Sequence, residues 1–219
     1  MSRYAAVIFD LDGTLFDTIA DIASACNELL ARYGKKPYSV RKIKKFVGLG
    51  VDNLLGSLVS GRKITTKQPV ELKTEYLDIY RRRMLEQTRP YPGIIDLIVE
   101  LKALGVVMAV LSNKPDADVG SLMKHFFLPE FFQVVMGKQP GFPLKPDPRA
   151  IEHIIEVLKV PKTAVLYVGD TKTDIETAIN AKITSVGALW GFRSKQELIR
   201  AKAEYLAHTP ADIYKLVKG

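Results

Sequence analysis

The chain has 219 residues, a size that suits one domain or a core domain with a modest insertion. Its net charge of +8 favours anionic partners, and its single cysteine, Cys26, excludes an intramolecular disulfide. No apolar run approaches the roughly 20 residues of a membrane span, and Asp10 interrupts the first apolar run too early for a signal peptide. We therefore expect a soluble protein without a membrane partner, located by default in the cytoplasm.

Five short apolar runs, rich in β-branched residues, predict buried strands. In chain order they are residues 5–9, 106–111, 133–136, 164–168 and 184–189. Amphipathic segments between the later runs predict helices at residues 116–127, 148–158 and 174–181. Strands that alternate with helices indicate βαβ units, and hence a parallel sheet in a doubly wound, Rossmann-like α/β fold.

The alternation fails between the first and second predicted strands. Apolar residues at helical spacing predict a helix over residues 17–33, begun by Asp17, and further helices at 39–46, 51–58 and 69–87. The segment "RPYPG" then marks the return to the α/β pattern with its prolines and glycine. We interpret residues 17–88 as an inserted all-helical domain and residues 1–16 and 89–219 as the core, with hinges near 16–17 and 89–91.

Polar residues follow several of the predicted strands, where parallel sheets bind their ligands. The set comprises Asp10 and Asp12 after the first strand, Ser112 and Asn113 after the second, Lys145 after the third, and Asp170 and Asp174 after the fourth. Carboxylates crowded together are costly to bury unless a cation neutralises them, and carboxylate oxygens suit Mg²⁺. Alternatively, any one of these polar residues can simply cap a helix or form a turn, Asp174 included.

Four of these sequence features occur in an order that resembles a known family. The segments "DLDGT" (residues 10–14), Ser112, Lys145 and "GDTKTD" (169–174) resemble the ordered motifs of the haloacid dehalogenase-like hydrolase superfamily across essentially the whole chain. The helical insertion is similar to that family's cap domain. The segments "FDLDGTLFDT", "SNKP", "KPDP" and "VGALWGF" look most like phosphoglycolate phosphatases and their pyrophosphatase-like relatives.

The resemblance implies a Mg²⁺-dependent phosphatase acting on a small phosphorylated anion, with phosphoglycolate as the first expected substrate. In such enzymes the residue at Asp10 attacks phosphorus and forms an aspartyl-phosphate, while Asp12 acts as general acid and then general base. The implied metal ligands are Asp10, the backbone carbonyl of Asp12, and Asp170. Asp174 either binds the metal through water or orients Lys145.

The resemblance also implies which residues bind the phosphate and the rest of the substrate. Ser112 and Asn113 are expected to donate hydrogen bonds to phosphoryl oxygens, and Lys145 to supply positive charge. Gly13 would let the backbone turn tightly and approach the phosphate. Gly48, in the cap segment "FVGLG", is expected near the leaving group.

Several alternatives stay open at this point. A sugar phosphomutase, a pyrophosphatase or a nucleotidase would share the same fold and motifs. Residues 32–45 hold seven basic and no acidic side chains, which is typical of a solvated helical face but also suits an approach for anions. A basic nucleic-acid-binding or regulatory module is therefore the alternative outside enzymes, although the intact motif set disfavours it. The sequence leaves the oligomeric state open.

Overall fold

A computed structural model describes residues 2–61 and 69–219 of the protein. The strands are β1 (Ala6–Phe9), β2 (Phe16–Asp17), β3 (Arg89–Pro90), β4 (Val107–Pro115), β5 (Val134–Lys138), β6 (Val165–Gly169), β7 (Thr184–Ala188) and β8 (Tyr205–Ala207). The helices are α1 (Ile19–Arg32), α2 (Val40–Lys44), α3 (Gly50–Val59), α4 (Pro69–Arg83), α5 (Ile94–Ala103), α6 (Asp116–Phe126), α7 (Arg149–Leu158), α8 (Lys172–Ala181), α9 (Lys195–Arg200) and α10 (Pro210–Lys218). Within the described ranges, none of these helices has both the length and the apolar composition needed to cross a lipid bilayer.

Six of the strands form one parallel sheet, in the order β5-β4-β1-β6-β7-β8. Helices cover both faces of this sheet, so the predicted doubly wound α/β fold is confirmed. All five predicted strands are present. The sixth strand, β8, is missing from the prediction because its three residues are too few to show a periodic pattern.

Strand β1 lies at the centre of the sheet and is buried on both faces. Its side chains alternate between the faces, as in any strand. Val7 and Phe9 join the apolar cluster formed with α5, α6 and α10, whereas Ala6 and Ile8 pack with α7 and α8. Burial on both faces explains why the sequence shows a continuous apolar run here, and it brings Asp10, the next polar residue, to the middle of one sheet edge.

Strand β4 extends further than predicted. The apolar run predicts an end at Leu111, whereas β4 continues to Pro115, and its register against β5 shifts between these two residues. Ser112 and Asn113 therefore lie within the irregular end of a strand, not in a loop after it. Such irregularities in pairing redirect side chains and are common beside functional sites.

Helices α1 to α4 form the inserted cap between β1 and β4. They enclose an apolar cluster of their own, against which the core residue Phe192 also packs. The short strands β2 and β3 pair with each other in antiparallel fashion, so the two connections between cap and core run side by side. The helical insertion is thus present, while its boundaries at residues 17 and 88 stay a prediction. Part of the predicted insertion, residues 62–68, lies outside the described residues.

The buried carboxylate of Asp21 connects the first cap helix, α1, to the segment that leads back to the core. Asp21, fully buried in α1, accepts hydrogen bonds of 2.8 to 3.1 Å from the backbone N–H groups of Gln87 and Thr88 and from the Thr88 hydroxyl. These donors immediately precede β3. The carboxylate therefore closes the cap beside its exit point.

We expect Asp21→Ala to lower the free energy of unfolding by about 2–4 kcal/mol, because it leaves buried donors without an acceptor. The matched control is Asp52→Ala, which removes an exposed carboxylate paired with Lys73 and should change stability little. Urea unfolding of both variants measures the difference. Equal losses in the two variants would contradict the role of Asp21.

Candidate active site

The predicted site residues meet at one edge of the sheet because of the strand order. Strand β1 lies between β4 and β6, so Asp10, Ser112 and Asp170 follow or end three neighbouring parallel strands. Lys145 reaches the same place from the segment after β5. All four residues are buried, with Asp170 completely inaccessible to solvent.

Lys145 is the centre of this polar cluster. Its ammonium donates hydrogen bonds to Asp10 Oδ1 (2.7 Å), Asp174 Oδ1 (2.7 Å), the Tyr167 hydroxyl (2.9 Å) and the Leu111 carbonyl (3.3 Å). Burial lowers the pKa of Lys145, but the carboxylates of Asp10 and Asp174 outweigh burial and raise it well above its usual value. The lysine is therefore charged and held in place by partners from several elements.

Asp174 combines the two roles that the sequence analysis treated as alternatives. Its Oδ2 accepts hydrogen bonds from the Thr171 backbone N–H (3.0 Å) and hydroxyl (2.6 Å), which forms a capping box at the start of α8. Its Oδ1 accepts from Lys145 and from the Tyr167 hydroxyl at 3.1 Å. Both oxygens of Asp174 are thus engaged by protein donors, so the helix cap also orients the lysine.

The Asp170 carboxylate lies close to two backbone segments. Its Oδ2 accepts a hydrogen bond of 2.5 Å from the Phe192 backbone N–H. Gly13 lies close to the same oxygen, and its φ of +89° is a left-handed conformation that favours glycine. A Cβ at residue 13 would lie only 2.4 Å from Asp170 Oδ2. Gly13 thus makes the tight turn that we expected, and its close neighbour is the Asp170 carboxylate.

The carboxylate group has the composition of a site for a hard divalent cation. Oxygens of Asp10, Asp170 and Asp174 lie within 4.8 Å of one another, and all three residues are buried. Burial raises the pKa of Asp10 to about 7, although Lys145 has a lowering effect on it. Burial also raises the pKa of Asp170 well above its usual value. Neighbouring carboxylates, Asp174 among them, add to both shifts, and a cation bound to oxygen ligands would relieve their mutual repulsion.

Asp12 lies in the same cavity but has a different partner. Both of its carboxylate oxygens accept hydrogen bonds from the Lys114 ammonium, at 3.0 and 3.1 Å. The ammonium also lies 4.4 Å from the centre of the Tyr80 ring in α4. Lys114 belongs to the segment "SNKP", in which no role was predicted for it from the sequence. Its position directly after Ser112 and Asn113 was the available signal.

Asn113 connects the cap with the lysine segment. Its side-chain amide donates to the carbonyls of Gly48 (3.0 Å) and Lys145 (3.2 Å), while its Oδ1 accepts from the Lys145 backbone N–H at 2.8 Å. Gly48 therefore contacts a predicted site residue directly. The Asn113 side chain is used in these contacts, so any bond from Asn113 to a phosphoryl group falls to its backbone N–H.

The cap and the core enclose one cavity of about 50 Å³ around these groups. The core contributes Asp10, Asp12, Ser112, Asn113, Lys114, Lys145, Thr171 and Phe192; the cap contributes Ile22, Val47, Gly48, Gly50, Val51, Leu54 and Tyr76. The polar groups of the cavity thus come mainly from the core, and the described cap residues that line it carry no charge.

A short core segment after β7 also contacts the cap. The Arg193 guanidinium donates to the carbonyls of Lys44 (2.7 Å) and Val47 (2.6 Å), and the Lys44 ammonium donates to the Gly191 carbonyl at 3.3 Å. Within the same segment, the Phe192 N–H bonds to Asp170 and its ring packs in the cap cluster. This segment joins the carboxylate site to the cap, a link that sequence spacing does not indicate.

Comparisons with known proteins agree with this architecture. Residues 7–188 match the family described as haloacid dehalogenase-like hydrolase. The phosphoglycolate phosphatase of Neisseria meningitidis serogroup A is 34% identical over 85% of this chain and 81% of that protein, and the one of Mannheimia succiniciproducens is 28% identical over 99% of each. A crystal structure from Lactobacillus delbrueckii subsp. bulgaricus, named as a candidate phosphoglycolate phosphatase, superimposes with a TM-score of 0.90, at 31% identity and 99% coverage of each chain.

These findings identify the class and the family of the protein. The fold is that of a capped, Rossmann-like α/β hydrolase. The chain belongs to the haloacid dehalogenase-like hydrolase family, as its motifs predicted. The prediction of an enzyme similar to phosphoglycolate phosphatases is likewise confirmed.

We expect Asp10→Asn to raise the free energy of unfolding of the metal-free protein at about pH 8 and to change it little at about pH 4. The folded chain holds a proton on Asp10 up to about pH 7, whereas the unfolded carboxyl releases it near 3.8. Wild-type stability should therefore fall as pH rises through this window, and an uncharged Asn avoids the loss. Lys145 keeps Asp174 as its partner in the variant.

Urea unfolding with a chelator present, across this pH range, measures the effect. Asp147→Asn is the control, because Asp147 is a partly exposed carboxylate on the nearby segment. Its bonds with Arg149 lower its pKa, in contrast to the raised pKa of Asp10. If the free energy of unfolding depends on pH in the same way in wild type and in Asp10→Asn, the raised pKa of Asp10 is contradicted.

Proposed function

We propose that this enzyme hydrolyses a small phosphorylated metabolite, with phosphoglycolate as the first candidate, through an aspartyl-phosphate on Asp10. The observation that carries the proposal is the pairing of a buried carboxylate with a buried ammonium, Asp10 Oδ1 with Lys145 at 2.7 Å, at the edge of a cavity. The relatives named phosphoglycolate phosphatase support this substrate over pyrophosphate, nucleotides and sugar phosphates.

The chemical steps follow from the positions of Asp10 and Asp12. Lys145 bonds Oδ1 of Asp10, so we assign the attack on phosphorus to Oδ2. The new Asp10–phosphorus bond forms as the bond from phosphorus to the leaving oxygen breaks, and Asp12 gives that oxygen a proton. A water molecule then loses a proton to Asp12 and attacks phosphorus. The Asp10–phosphorus bond breaks and inorganic phosphate leaves.

The phosphoryl oxygens need donors and positive charge in both steps. Ser112 lines the cavity and offers its hydroxyl, while Asn113 offers its backbone N–H. The Lys145 ammonium stabilises the charge that builds up on the phosphoryl oxygens. Gly13 keeps the turn after Asp10 close to the other carboxylates.

We further propose that the metal is Mg²⁺, held by Asp10, Asp170 and the backbone carbonyl of Asp12. When bound, the ion neutralises carboxylate charge and favours the approach of an anionic phosphate. The engagement of both Asp174 oxygens by protein donors supports the alternative in which Asp174 orients Lys145. The fit of an ion to this set rests on the close, buried carboxylates and the repulsion among them when ionised.

The cap, with boundaries at residues 17 and 88, would act as a lid over this chemistry. The cavity of about 50 Å³ holds only a few water molecules, so we propose that the cap moves on β2 and β3 to admit the substrate. Closure would then exclude water around Asp10. A buried thiol, Cys26, suits the reducing cytoplasm that we propose as the compartment.

Replacement of Asp10 by Asn should abolish phosphate release, lowering kcat by at least about 10³-fold, because the amide is no nucleophile. The measurement is inorganic phosphate released from a panel of phosphorylated metabolites, with Asp147→Asn as an active control. Undiminished turnover in Asp10→Asn would overturn the mechanism. A phosphorylated isomer formed in place of phosphate would instead favour the sugar phosphomutase alternative.

Asp170→Asn should raise the Mg²⁺ concentration needed for half-maximal activity by about 10-fold or more, because it removes a charged oxygen ligand. Phosphate release is followed at increasing Mg²⁺ after removal of bound metal with a chelator. Glu176→Gln, which alters an exposed carboxylate of α8 paired with Lys172, is the control and should keep the wild-type requirement. Identical Mg²⁺ requirements in Asp170→Asn and wild type would count against Asp170 as a ligand.

A further inference from the structure

One buried cation of the cavity has no part in the chemistry above. Lys114 is only 8% exposed, and it lines the cavity beside Asp12. Its ammonium lies against the Tyr80 ring of the cap helix α4. Burial lowers the pKa of Lys114, but Asp12 and Tyr80 outweigh burial and raise it above its usual value, so the ammonium is charged.

The two lysines that line the cavity, Lys114 and Lys145, differ in the number of acceptor groups around their ammonium groups. Lys145 donates to four groups, two of them carboxylates. Lys114 has a single anionic partner among the described residues, Asp12, and it binds both oxygens of that carboxylate. In the proposed reaction Asp12 must turn an oxygen to the leaving group, which takes that oxygen away from Lys114.

We propose that Lys114 binds an anionic group on the leaving-group side of the substrate and so determines substrate specificity. The anion we assign is a carboxylate one carbon away from the ester oxygen. The inference rests on the proposed function, because it assumes that Asp12 serves the leaving oxygen. It deepens that function by defining the substrate class as phosphate esters of small hydroxy acids.

The distances suit this assignment. Lys114 Nζ lies 3.0 Å from the nearer Asp12 oxygen. In an ester of a 2-hydroxy acid, a carboxylate oxygen lies about 3 Å from the ester oxygen by ordinary bond lengths. A leaving oxygen placed against Asp12 therefore brings its own carboxylate within reach of Lys114. The substrate would replace the ion pair that Asp12 gives up.

The surroundings of Lys114 make this replacement selective. The cap residues that line the cavity are uncharged, so among the described lining residues no other cation faces the leaving group from the cap. The Tyr80 ring shields the ammonium from water, and its own hydroxyl lacks a hydrogen-bond partner within residues 2–61 and 69–219. A substrate with a neutral leaving group would leave Lys114 buried without a full counter-charge, which is strongly unfavourable. Sites of this kind reject analogues that lack the required group.

The test compares phosphoglycolate with its uncharged analogue phosphoglycolamide, which has nearly the same shape. We expect wild type to prefer phosphoglycolate by about 100-fold in kcat/KM, and Lys114→Met to reduce this preference to about 5-fold or less. Lys114→Arg should keep most of the preference because it keeps the charge. Lys172→Met, which removes an exposed lysine at the start of α8, should behave as wild type.

The ratio of the two kcat/KM values cancels any general effect of Lys114 on Asp12, since that effect acts on both substrates. An unchanged ratio in Lys114→Met would overturn the assignment. Equal hydrolysis of both esters by wild type would overturn it as well and leave the proposed function standing. Wild-type protein that releases no phosphate from any monoester would instead overturn the proposed function.

A binding measurement keeps the inference testable if Lys114→Met fails to fold. Calorimetry with the Asp10→Asn protein and Mg²⁺ compares the affinities for the two compounds without turnover. We expect phosphoglycolate to bind at least about 10-fold more tightly than the amide. Equal affinities would contradict a role for Lys114 in binding the carboxylate.

Discussion

The site depends on one physical constraint, the need to compensate charges that are buried together at the end of a sheet. Lys145 meets most of this need, because its ammonium bonds the carboxylates of Asp10 and Asp174 as well as the Tyr167 hydroxyl. Each partner belongs to a different part of the chain, and the parallel strand order brings them together. Burial raises the pKa of Asp10 and Lys145 opposes this rise, so the lysine favours the charged form of that carboxyl.

The two buried lysines do not compensate all the carboxyl groups of the site. Four carboxyl groups, those of Asp10, Asp12, Asp170 and Asp174, lie around only two ammonium groups in the described part of the site. A divalent cation would balance the negative charge that these carboxyl groups carry when ionised. Burial is the main cause of the raised pKa values of Asp10 and Asp170, and neighbouring carboxylates add to it. The described cap residues that line the cavity are uncharged, so the charges around it come from the core.

The fold and the residues at the strand ends could be predicted from the sequence because the geometry of a parallel sheet is simple. Asp10 and Asp170 follow apolar runs, and parallel strands place such residues at a common edge. Lys114 was missed because its partner, Asp12, is 102 residues away, and spacing does not reveal which buried lysine meets which carboxylate. The helix-cap alternative for Asp174 was only partly right, because Thr171 is the N-cap residue of α8 and one Asp174 oxygen completes the capping box with it. The other oxygen accepts from Lys145, since a carboxylate has enough acceptor capacity for both.

The Asn113 side chain has contacts within the core and one contact with the cap. Its side chain bonds both the backbone N–H and the carbonyl of Lys145, and these contacts lie within the core. Its remaining contact, to the Gly48 carbonyl, is with the cap. In the cap opening that we propose, the bond to Gly48 would break and both bonds to Lys145 would remain. Under the proposed function, Lys145 and Asp10 would thus stay organised while the cavity is open, so an entering phosphate would meet a preformed set of charges, and closure would mainly remove water from it.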